Sequence, residues 1–128
     1  MTCRRGDSFS VSPTGLGNLT GYAEIYFTVK AHGDDTDAEA AVQIVKKATG
    51  SDGLLYINGE AAQVAADGSI TINNQALGNI TITLKAVETA KLEPGSFDYD
   101  IELITSAAVT TLAVGAFIIP EDYTRATS

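Results

Sequence analysis

The chain has 128 residues, 45% of them hydrophobic and 19% charged, which is the size of one domain and excludes a disordered chain. Eight Lys and Arg against 16 Asp and Glu leave a net charge of −8. Such a surface repels phosphate backbones and anionic membranes, which excludes a general nucleic-acid binder and leaves only a local basic spot at Arg4 and Arg5. No run of about 18 apolar residues is present, so no membrane insertion is expected.

The N-terminal stretch carries the single cysteine, Cys3, so no internal disulfide can form. That composition fits assembly in a reducing cytoplasm. No apolar stretch follows Arg4 and Arg5, so the start does not read as a signal peptide. Residues 1–6 are expected to be flexible, with Cys3 an incidental thiol rather than a nucleophile, because the only histidine lies far away in sequence. Arg5-Gly6-Asp7 spells an integrin-recognition tripeptide, a match that short tripeptides reach by chance.

The dominant periodicity from there on is two. A short strand over 8–12 places Phe9 and Val11 on one side. Over 23–30, Ile25, Phe27 and Val29 share one face while Glu24, Tyr26, Thr28 and Lys30 share the other, which predicts a half-buried strand. The acidic loop that follows holds Asp34, Asp35 and Asp37, with Glu39 nearby. Its oxygens could serve calcium, but the EF-hand spacing is absent and solvated loop acids are the simpler reading. Thr36 or Asp37 can cap one helical turn before a strand over 41–47. His32 has neither Cys nor a second His with which to build a metal site.

Short strands are predicted over 53–58, 61–64 and 69–73, with Asn58-Gly59 and Asp67-Gly68 as two-residue turns of positive φ. Over 79–85, Ile80, Ile82 and Leu84 point inward. Over 96–103, Phe97, Tyr99, Ile101 and Leu103 face the core, and Asp98, Asp100 and Glu102 face water. The last strand covers 109–118, and the polar tail 121–128 is expected to be flexible. Strands recurring about every ten residues with turns between them argue for a β-sandwich or barrel.

Catalysis finds little support. Residues i and i+2 of a strand are about 7 Å apart, which is permissive for a glycosidase pair at Asp98 and Asp100. That chemistry needs one desolvated acid, and an exposed row supplies none. Asn18-Leu19-Thr20 and Asn79-Ile80-Thr81 match the glycosylation sequon, which is silent without secretion. With no Trp, Tyr22 and Tyr26 make a weak carbohydrate platform. The expected protein is therefore not an enzyme and needs no cofactor or metal; a carbohydrate- or calcium-dependent binding module is the alternative from a different class.

Particular residues add to this reading. The stretch Arg5-Gly6-Asp7-Ser8-Phe9-Ser10 is followed by Leu19-Thr20-Gly21-Tyr22-Ala23-Glu24-Ile25-Tyr26-Phe27-Thr28-Val29-Lys30. Further on come Ile82-Thr83-Leu84, Leu92-Glu93-Pro94-Gly95-Ser96-Phe97-Asp98-Tyr99-Asp100-Ile101, Val109-Thr110-Thr111-Leu112, Gly115, Phe117 and Asp122-Tyr123-Thr124-Arg125. This order resembles the immunoglobulin-like β-sandwich at the N-terminus of phage upper-baseplate proteins, and short stand-alone tailed-phage structural proteins like it. The resemblance implies an all-β, immunoglobulin-like antiparallel sandwich of about seven to nine strands with at most one short helical turn, in one domain over 1–128.

It also implies a non-enzymatic virion subunit, assembled in the bacterial cytoplasm, that docks onto the tail or baseplate by many weak contacts with other phage structural proteins or its own copies. Capsid decoration is the alternative within that class. No coiled coil follows Ser128, so a stand-alone accessory subunit is expected rather than the base of a longer fibre. Arg4, Arg5 and Phe9 at one end, and Tyr123 and Arg125 at the other, are the expected partner contacts, since Arg and aromatic residues are enriched at interfaces.

Overall fold

Alternation along the strands builds two antiparallel sheets that bury their apolar faces against each other. The computed structural model describes residues 1–31, 36 and 39–121. Its strands are β1 (Phe9–Val11), β2 (Glu24–Lys30), β3 (Val42–Lys47), β4 (Gly53–Ile57), β5 (Glu60–Ala61), β6 (Gly68–Asn74), β7 (Asn79–Leu84), β8 (Gly95–Ile104) and β9 (Val109–Ile119). The larger sheet has the order β5-β4-β3-β2-β8-β9 and the smaller β1-β7-β6. The acidic-loop residues Asp34, Asp35 and Asp37, with His32, lie outside the described residues.

The inward rows follow from register. Phe27 on β2 lies between Ile44 on β3 and Ile101 on β8, and Val29 lies between Val42 and Tyr99. Opposite them, the smaller sheet contributes Phe9, Ile70, Ile80, Ile82 and Leu84, all buried. Three phenylalanines join the layers. The Phe9 ring meets Phe117 edge-on at 5.5 Å, and Phe117 meets Phe27 at 6.1 Å. Such pairs contribute beyond their buried area.

Two short helical turns interrupt the strands, and the sequence pattern placed neither. One is a 3-10 turn at Ala65–Asp67 and the other is α1 (Ala86–Thr89). Asn58 (φ 51°) and Gly59 (φ 76°) form the expected tight turn between β4 and β5, with Ile57 opposite Glu60. Asp67-Gly68 does not. Gly68 is extended at φ −131° and opens β6 directly after the 3-10 turn. Its lack of a side chain serves packing, because a Cβ there would lie 3.0 Å from the Leu54 Cβ and 3.3 Å from the Ile44 Cδ1. The strand expected over 61–64 shrinks to the two-residue β5.

The N-terminal segment departs most from expectation. Residues 1–6 are not loose. Thr2 bridges Ile118 in parallel, the Cys3 N–H donates to the Ile118 carbonyl at 2.9 Å, and the Ile118 N–H donates to the Met1 carbonyl at 2.9 Å. The segment thus caps one half of the β9 edge, whose outward backbone groups would otherwise face water. Cys3 is 1% exposed. Burial, with the Asp7 charge adding, pushes its thiol up to about 11.

Candidate interaction surface

The outer face of the larger sheet carries the carboxylate row found in the sequence. Asp98, Asp100 and Glu102 of β8 stand opposite Lys30, Thr28 and Tyr26 of β2. Asp98 is exposed, while Asp100 and Glu102 are half-buried. The neighbouring polar groups are tied to one another. Gln43 Nε2 donates to Thr28 Oγ1 at 3.2 Å, the Tyr26 hydroxyl donates to Glu24 at 3.0 Å, and Lys47 lies 3.7 Å from Glu24. Tyr22 packs against the core, so the two tyrosines do not form a common platform. Among the described residues, no group of three or more His, Cys, Asp or Glu is placed to hold a metal ion.

The smaller sheet presents a different surface. Its outward positions are Ser10 on β1, Thr81 and Thr83 on β7, and Ser69, Thr71 and Asn73 on β6. Hydroxyls and amides form a network there. Ser69 meets Thr83 at 2.6 Å, Asn73 donates to Thr81 at 2.7 Å, and Ser12 meets Thr81 at 3.0 Å. No charged residue occurs within 8–23 or 68–84, the runs that supply this whole sheet. A third charge-free run, 105–120, contains all of β9. Along that strand Val109 is 64% exposed and Val114 71%. The acidic charge is therefore segregated from one sheet and from one long sheet edge.

The five expected contact residues fare differently. Arg4 is exposed beside a shallow groove of about 480 Å³ shared with Thr2, Asp7 and Ser8. Arg5 instead holds the fold together. Its Nε donates to the Leu92 carbonyl at 2.5 Å and its Nη2 to the Ala90 carbonyl at 3.3 Å. Those are carbonyls of the turn after α1, whose C-terminal groups lack partners within so short a helix. Phe9, 6% exposed, is a core residue and not a partner contact. Its strand is short, and its ring is needed opposite Phe117. Tyr123 and Arg125 lie outside the described residues.

The surface that sequence reasoning missed, the uncharged sheet with the β9 edge, had a plain signal. The spacing of charges along the chain, rather than any motif, marks it. Thr89 was missed too. Its buried hydroxyl donates to the Asp7 carbonyl at 2.8 Å and accepts the Gly6 N–H at 3.0 Å, pinning 6–7 against α1. The Arg-Gly-Asp tripeptide is thereby held in the fold rather than displayed.

No protein-family model matches the chain, and a search of curated proteins finds no match. Among solved structures, the chain is similar to NK cell receptor NKp44, a triggering partner in natural cytotoxicity, with 10% identity and a TM-score of 0.50 over 93% of this chain and 94% of that one. A structure of VGSC β subunits matches at 14% identity over 94% of this chain and 88% of that one, with a TM-score of 0.39. At such identity the first likeness speaks to fold alone, and the second is too distant to carry an argument. The strand order agrees with it: a long sheet extended beyond its central strands faces a short one, as in variable-type immunoglobulin domains. The chain has the fold of an immunoglobulin-like antiparallel β-sandwich.

Proposed function

We propose that this chain is a non-enzymatic structural subunit of a tailed bacteriophage particle, docking onto the tail or baseplate through repeated protein–protein contacts. Two supports are independent of each other. The residue order resembles the upper-baseplate sandwich domain over nearly the whole chain. The observation that carries the docking role is the segregation of charge: a chain of net charge −8 keeps one sheet and one long edge free of charged residues. A neighbour can cover those surfaces without desolvating an ion, the costliest event in interface formation. Weak contacts of this kind add up when many copies dock on a symmetric body.

Mass spectrometry of purified particles tests the reading. The chain is expected in the particle at a stoichiometry that tracks the tail subunits. Absence from intact particles would overturn it, and a stoichiometry that tracks the major head protein would assign capsid decoration instead.

A further inference from the structure

We propose that β9 is a homotypic contact, through which a second copy of this chain pairs antiparallel along residues 109–115. The inference rests on the chemistry of the strand, and it stands whether or not the chain belongs to a phage particle.

β9 is the outermost strand of the larger sheet. Its far half already demonstrates that the edge accepts backbone. The Ile118 N–H and C=O both bond the N-terminal segment, and the Met1 amine donates to the Ala116 carbonyl at 3.2 Å. Backbone orientation alternates along a strand, so Val114, two residues before Ala116, turns its own N–H and C=O toward the same open edge. No chain segment among the described residues is paired there; the bridge to Thr2 is at Ile118. The usual guards of an edge strand, a Lys or a Pro within it, are missing. One guard is present. A bulge opposite Ile101 and Glu102 steepens the local twist near Leu112. It limits the ladder to a few bonds, so the side chains of Val109 and Val114 share the contact, and the pairing is weak and reversible.

Charge selects the occupant. Each copy carries −8, and most of its surface repels another copy. Antiparallel pairing of two β9 edges brings only the uncharged run 105–120 into contact. The nearest carboxylate rows, on the β8 strands of the two copies, then lie three strand spacings apart, about 14 Å. That exceeds the screening length of about 8 Å at physiological ionic strength. The twofold arrangement is closed, so it yields a dimer rather than a fibre.

Sedimentation equilibrium of the full chain over a wide concentration range, at low and at high salt, reads this directly. The expected result is a monomer–dimer equilibrium that tightens as salt rises, because residual like-charge repulsion is screened. Val114→Lys, at an exposed position, should weaken the dimer about tenfold or more and leave the circular dichroism spectrum and melting curve of the monomer unchanged. Val64→Lys, exposed in the chain between β5 and the 3-10 turn, should leave the dimer intact. A chain that stays monomeric throughout overturns the proposal. So does a dimer that V114K leaves unaffected, or one that weakens as salt rises, since that pattern belongs to a contact between opposite charges.

Discussion

Phe117 touches both other core phenylalanines, and through Phe9 it reaches the opposite sheet. Immunoglobulin domains often join their sheets by a disulfide between strands, which a chain with one cysteine cannot form. The aromatic trio occupies that role here. Phe117→Ala is expected to cost about 3–5 kcal/mol in urea unfolding, whereas Arg4→Ala should stay within about 0.5 kcal/mol. Cys3 gives a second residue-scale expectation. Its thiol, held protonated to about 11, should resist aromatic disulfide reagents at neutral pH in the folded protein and react on unfolding. The linkage has a definite sign. The folded-state value lies above the ordinary 9.0, so the group's stabilising contribution is complete below about pH 9 and is lost as pH rises through 11. The loss is on the order of 2 kcal/mol, and Cys3→Ala should remove that share of the alkaline destabilisation. At this scale the sequence misled about Phe9 and Cys3. Both lie in a short or irregular segment where no period marks the inward face, and only contact with distant β9 buries them.

At the scale of elements, the long strands were legible because their alternation runs over six or more residues. β2, β7, β8 and β9 fall within a residue or two of their sequence-based bounds. The Asn58-Gly59 turn was legible because both residues tolerate positive φ. Asp67-Gly68 has the same local chemistry, yet the close approach of Leu54 and Ile44 decides its conformation. α1 escaped because four residues offer no helical period. The 3-10 turn makes a demand on β4. Gly53 sits at φ 124°, and a Cβ there would overlap the Ala65 carbonyl oxygen. Gly53→Ala should therefore cost about 2–3 kcal/mol in thermal or urea unfolding. Gly50→Ala, at φ 94° in open space, adds no such overlap and should cost about 1 kcal/mol.

Across the whole molecule, the distribution of charge matters more than any single group. Asp98, Asp100, Glu102 and Glu24 stand on the larger sheet, while the smaller sheet shows only hydroxyls and amides. Net charge was plain from composition, but its segregation depends on which strands become neighbours. The runs 8–23 and 68–84 are far apart in sequence and form one sheet only because β1 pairs with β7. A subunit built this way can turn its uncharged sheet to a neighbour and keep its carboxylates in water. Placing the smaller sheet in contact predicts that Thr71→Asp, at an exposed position, abolishes incorporation into particles while the isolated chain keeps its melting temperature within about 2 °C. Electron microscopy of purified particles carrying gold-labelled antibody against this chain tests the central claim most directly. The account predicts label at the tail or baseplate; label confined to the capsid surface, or none on intact particles, would contradict it.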